Sequence, residues 1–173
     1  MTTFQQTALI FLRTVIGWHF LYEGFFKFSL PAWSPDGQPL AAFSSAGFIR
    51  AATGPLGRLA RATADAGLLP WVDRLIVFGL LAVGISLILG LLTRAGCIGG
   101  LLLLAMFYLT AIPTTGLPQA GAEGTYLIVN KTLIEGFAVL ALMAFDTGRI
   151  AGLDRLWAER SSRLYPSASL QRP

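Results

Sequence analysis

Four stretches of this sequence are each mostly apolar for about the 20 residues that a helix needs to cross a hydrocarbon core roughly 30 Å thick. They run from about Ala8 to Phe28, Leu75 to Leu92, Ala95 to Ile112 and Tyr126 to Phe145. Only 13% of the residues are charged and 54% are hydrophobic, whereas a soluble domain carries about 25% charged residues. So few charges cannot cover a water-facing surface, so the expected solvent is lipid. The expectation is an all-α, integral membrane four-helix bundle over residues 1–157, followed by a basic cytoplasmic tail over 158–173.

The second and third stretches carry no charge and are separated by Thr93-Arg94, which predicts an antiparallel hairpin. Arg94 in that turn, and Arg149, Arg155, Arg160, Arg163 and Arg172 after the fourth stretch, place both segments on the cytoplasmic side. Four spans then leave both termini inside the cell and the 29–74 and 113–125 loops outside, as for a bacterial inner-membrane protein. Arg50, Arg58 and Arg61 in the long outer loop pull the other way without reversing the balance. Within that loop, Leu40 to Ala52 and Leu56 to Ala66 have the spacing of short interfacial helices, and Gly148 to Tyr165 that of a basic one. Trp33, Trp71 and Trp157 fall just beyond span ends, where an indole suits the headgroup region. The N-terminus lacks a basic region and a small-residue cleavage site, so the first helix is expected to be retained.

Several activities are excluded. The single cysteine, Cys97, cannot form an internal disulfide relay. The single histidine, His19, cannot supply a bis-histidine haem or a multi-histidine metal site, so no bound metal or haem is expected. Nucleotide-binding and Gly-x-Ser-x-Gly signatures are missing from the sequence. The net charge of +4 comes without the interleaved basic and aromatic stripe that tracks nucleic acid. The lipid bilayer is the expected partner.

Ionisable residues inside spans are costly and mark function by default. In the first span Arg13, Gly17, Phe20, Gly24 and Lys27 share one stripe, spaced alternately by four and three residues. The glycines on it would let a second backbone come close. His19, Glu23 and Lys27 follow one another at i, i+4 spacing, as do Lys131 and Glu135 in the fourth span, next to Asn130. Glu23 and Lys131 each lie about five residues inside the outer ends of their spans, and His19 and Glu135 about nine. Left unpaired near the bilayer centre, each charge would cost at least about 2.5–3.5 kcal/mol. The matching depths therefore predict that spans one and four pack together, pairing Glu23 with Lys131 and His19 with Glu135 around an outward-facing pocket. His19, Glu23 and Glu135 are the candidate proton-transfer residues. Arg13, Lys27, Asn130 and Lys131 are the candidate substrate-binding ones, with Arg13 apart on the cytoplasmic side. A static clasp that fixes helix register is the alternative for the same residues.

The segment Arg13-Thr-Val-Ile-Gly17-Trp-His-Phe20-Leu-Tyr-Glu-Gly24-Phe-Phe-Lys27 resembles the opening helix of the DoxX family. The resemblance is strongest to the branch that includes the small membrane subunit of thiosulfate:quinone oxidoreductase. It continues through Pro31-Ala-Trp33, Gly54-Pro55, Leu91-Leu-Thr-Arg94 and Gly148-Arg149 with Leu153-Asp154, and so covers roughly residues 8 to 157. It implies a four-helix membrane protein and, for some members, electron transfer from a sulfur compound to quinone. On that reading Lys27, Lys131 and Arg74 attract an anion such as thiosulfate, and His19, Glu23 and Glu135 exchange protons with an exchangeable quinone. A redox partner subunit or a homo-oligomer would complete the activity, since no oxidase-like companion region is present. The competing expectation is a non-catalytic scaffold or small-lipid carrier that uses the same polar cluster.

Overall fold

Gly90 ends one long helix in the left-handed conformation (φ 61°), and Leu92 repeats it (φ 50°) just before the next helix begins. Two left-handed residues in so short a link reverse the chain, and the hairpin expected here results. In the computed structural model, which describes residues 1–29, 43–112 and 127–164 (side chains to 160), every element is helical. The order is α1 Thr3–Ser29, α2 Ala46–Arg50, α3 Gly57–Asp65, α4 Leu69–Leu89, α5 Thr93–Thr110, α6 Lys131–Ala144, α7 Thr147–Ile150 and α8 Leu153–Leu164. Trp33, the 113–125 loop and Arg172 lie outside the described residues, and the side chain of Arg163 lies outside the described side chains.

Among the described residues two helices, α4 and α5, are long and apolar enough to cross a membrane. The turn between them is Gly90 to Leu92; Thr93 and Arg94 already belong to α5, a shift from the expected Thr93-Arg94 turn. A glycine followed by leucines hides a turn inside an apolar run, whereas an arginine advertises one. α4 starts about six residues earlier than hydropathy suggested, with Pro70 in its first turn, where a missing N–H costs nothing. Arg74 thus lies within the helix, and its guanidinium stacks 5.0 Å from the centre of the exposed Trp71 ring.

α1 makes its most extensive packing contact with α4, and a smaller one with α6. The α1–α4 seam is built on glycine. A Cβ at Gly17 would stand 3.0 Å from the Ile88 nitrogen, one at Gly24 2.9 Å from that of Leu81, and one at Gly84 2.5 Å from that of Leu21. The glycine stripe of α1 therefore serves α4. Ile16, Phe20, Leu80, Leu87, Leu104 and Val139 are among the core residues joining the four long helices. Outward faces are also apolar: Phe11, Val15, Trp18, Phe78, Leu102 and Phe137 are all exposed.

The two ends of the bundle are closed by polar contacts between distant segments. At one end the Gly54 and Leu56 N–H groups donate to the Thr110 and Leu109 carbonyls, which the last turn of α5 leaves free. At the other, the Asp154 carboxylate accepts from the Leu92 N–H (2.6 Å) and the Thr93 N–H (2.8 Å), capping α5 from α8. Arg13, buried on α1, donates to the Thr147 carbonyl at 2.7 Å and the Ala151 carbonyl at 2.5 Å. The short helices expected in the long loop are present as α2 and α3, and the basic helix after the fourth stretch as α8.

Candidate functional site

α1 and α6 run antiparallel. Arg13 meets Thr147 at one end, and about two turns along α1 His19 Nδ1 lies 2.7 Å from Glu135 Oε1. The pairing of His19 with Glu135 expected from depth is therefore present. With the carboxylate ionised, the Nδ1–H donates and the other ring nitrogen stays available. That nitrogen, Nε2, lies 4.0 Å from Glu23 Oε1.

Glu23 is paired differently from the expectation. Its ion-pair partner is Lys27, four residues along the same helix, and no Glu23–Lys131 ion pair occurs among the described residues. The cause is where α6 begins. Asn130 is its N-cap: the side-chain oxygen accepts the Leu133 N–H at 3.0 Å, with extended backbone at Asn130 itself. The helix is 14 residues long and starts at Lys131, five residues later than the expected 126. Lys131 is consequently in the first turn rather than five residues deep, and Glu23 closes on its own i+4 neighbour. Asn130, expected to bind substrate, has its side-chain oxygen committed to the cap.

These polar groups form one wall of a cavity of about 340 Å³. α1 contributes His19, Phe20, Glu23 and Lys27; α6 contributes Lys131, Thr132 and Glu135. Ile76 and Leu80 of α4 and Leu104 and Phe107 of α5 supply the apolar floor. The remaining side comes from Phe43, Ser44, Ser45 and Phe48 at the start of α2. Their position is fixed by Asp73 of α4, whose carboxylate accepts from both the Ser45 N–H (2.8 Å) and the Ser45 hydroxyl (2.6 Å). Phe48 also sits edge-on to Phe107 at 6.2 Å, and the Lys27 ammonium lies 5.6 Å from the Phe43 ring centre. Sequence reasoning missed this cover. A Ser-Ser-Ala-Gly start to a short helix was a visible capping signal, but its partner Asp73 is far along the chain.

Arg13 is not part of the cavity. The residue is 3% exposed and its guanidinium is bonded to two backbone carbonyls, so it joins α1 to α7 and the turn that follows. Arg74 does not line the cavity either. Lys27 and Lys131 remain as its two cations. Among the described residues no cluster of three or more His, Cys, Asp or Glu side chains could hold a metal ion. Cys97 is fully buried in the core.

Chemically the site is an apolar slot with a polar edge that can accept, donate and relay protons. Lys27, Glu23, His19 and Glu135 form a continuous line along that edge. No family model, curated protein or solved structure matches the chain.

Proposed function

We propose that this chain is a multi-pass inner-membrane protein of the DoxX type, whose cavity serves a quinone-linked oxidation of a small sulfur oxyanion such as thiosulfate. α1, α4, α5 and α6 are its four spans, with both termini cytoplasmic. The apolar outward faces support a lipid surround, since soluble monomers rarely expose large contiguous apolar patches. α6 is about 21 Å long, shorter than a span, but the exposed Leu127, Ile128 and Val129 extend its apolar length. The Tyr108 hydroxyl donates to the Ile128 carbonyl at 2.9 Å, which satisfies one backbone group of that non-helical stretch.

The observation that carries the reading is the His19–Glu135 hydrogen bond at the edge of an otherwise apolar cavity, with Lys27 and Lys131 beside it. Membrane ionisable pairs of this kind suit proton relays, and histidine changes charge near neutral pH. Lys27 and Lys131 attract the anion. His19 and Glu135 hold and pass protons, and Glu23 links them to the outer mouth. Quinone, when bound, takes up two electrons and two protons to give quinol; the electrons come from two thiosulfates joining through a new sulfur–sulfur bond as tetrathionate. A partner subunit could deliver the same electrons from another donor.

The test is thiosulfate-dependent quinone reduction by the purified protein in nanodiscs, followed optically. Glu135→Gln is expected to cut turnover about 100-fold or more, the scale of a lost general acid–base. A wild type that reduces no quinone, whether alone or with its co-purifying partners, sinks the oxidoreductase reading. The apolar majority of the cavity lining would then favour a carrier for a small lipid or metabolite.

A further inference from the structure

His19, Lys131 and Glu135 line two spaces rather than one. On one side is the cavity described above; on the other is a groove of about 510 Å³ on the outside of the bundle, between α1 and α6. The hydrogen-bonded His19–Glu135 pair is therefore the shared wall between a partly polar cavity inside the bundle and a shallower lateral groove.

The groove has a direction. Because the helices are antiparallel, Leu12, Val15 and Ile16 on α1 face Ile134 and Ala138 on α6 along an apolar length. Leu12 to His19 spans seven residues, about 10 Å, and all three polar groups lie at the His19 end. A molecule that fits this gradient has a hydrogen-bonding head and an apolar tail, and reaches the site sideways from the hydrocarbon. A small oxyanion gains nothing from the apolar length of such a channel, and the cavity on the other side carries the second cation, Lys27.

We infer that the α1–α6 groove is the binding site of an isoprenoid quinone, separate from the donor's cavity and touching it only through His19, Lys131 and Glu135. This inference rests on the quinone-linked reading above and divides it between two sites. Its consequence is that the two substrates have separate room on either side of the shared pair. The quinone head meets the proton-carrying pair from the lipid side, and the donor meets the same pair from the water side.

The experiment is equilibrium binding of decylubiquinone to the protein in nanodiscs of quinone-free lipid, without thiosulfate. Val15 and Ile134 are 65% and 61% exposed, so tryptophan at either adds bulk to the groove and not to the core. Val15→Trp and Ile134→Trp are each expected to weaken binding at least tenfold. Ile98→Trp, at a 52% exposed position on α5, is expected to stay within twofold of wild type. Groove variants that bind like wild type overturn the inference, as does an equal loss in all three. So does a phospholipid retained in native mass spectrometry that decylubiquinone does not displace. Tenfold loss in the groove variants, together with absent thiosulfate turnover in the wild type, would sink the oxidoreductase reading while leaving the quinone groove standing.

Discussion

At the residue scale the glycines of the α1–α4 seam show how close two backbones come. A Cβ at position 84 would stand 2.5 Å from the Leu21 nitrogen and 2.6 Å from its Cα, so α1 must withdraw to admit it. Gly136, inside α6, has nothing within 4 Å of where its Cβ would be, among the described residues. Gly84→Ala is therefore expected to destabilise the fold by about 1–3 kcal/mol, as overpacking does. Gly136→Ala is expected to stabilise it by about 0.5–1 kcal/mol, because alanine orders a helix more cheaply than glycine. Thermal melts in detergent check both, and a Gly84→Ala protein as stable as wild type would mean that the seam is looser than these distances imply. In the lipid surround proposed above the stakes are higher than in water. Apolar side chains gain little by leaving hydrocarbon for a helix interface, so close van der Waals packing and hydrogen bonds hold spans together.

At the scale of elements, α5 depends on a residue far from it in sequence. Burial alone would push the Asp154 carboxyl up, but the N–H groups of Thr93 and Leu92 donate to it and the Arg13 charge lies nearby. The balance holds it below the usual carboxylate range. Its folded pKa lies under its unfolded value, so its contribution is complete above about pH 4 and is lost as pH falls through the lower folded value. Asp154→Asn should melt at a lower temperature than wild type at neutral pH. The gap should narrow as the pH is lowered below about 4, because wild type then loses its own cap. A gap that stays constant down to acid pH would show that the charge on Asp154 contributes nothing. This cap was not legible in the sequence: Asp154 and Thr93 carry no local pattern that joins them. The His19–Glu135 pair was legible, because both lie inside helices whose depth can be counted. Glu23 was misassigned because the count for Lys131 assumed a helix already running through Tyr126. The apolar run from Leu127 to Val129 looks like helix, and Asn130, the residue that starts one, was read as a ligand. The contacts of Arg13 were not legible either, since its partners are backbone carbonyls that no side-chain pattern reveals.

For the whole molecule, on the four-span arrangement proposed above, the decisive question is which end faces the cytoplasm. Arg94 bonds Asp146 at 3.1 Å and Asp154 caps α5, so Arg94, Arg149 and α8 gather at one end of the bundle. The opposite end holds Lys27 and the basic side chains of α2 and α3, so charge alone does not orient the protein overwhelmingly. The proposed function adds a second constraint. The cavity mouth, with Lys27 and the α2 cover, lies at the end away from α8. On the function proposed above, an external oxyanion donor requires that end to face outward, which agrees with the positive-inside reading of Arg94 and α8. Cysteine labelling can decide the matter cleanly, because the native thiol, Cys97, is 0% exposed and contributes little background. Leu59→Cys on α3 is expected to react with a membrane-impermeant maleimide on intact cells, and Arg155→Cys on α8 only after the membrane is opened. The reverse pattern would turn the protein over and put the cavity in reach of cytoplasmic donors instead. Labelling of both positions only after lysis would remove the transmembrane arrangement itself, and with it the lateral route by which a quinone could reach the groove.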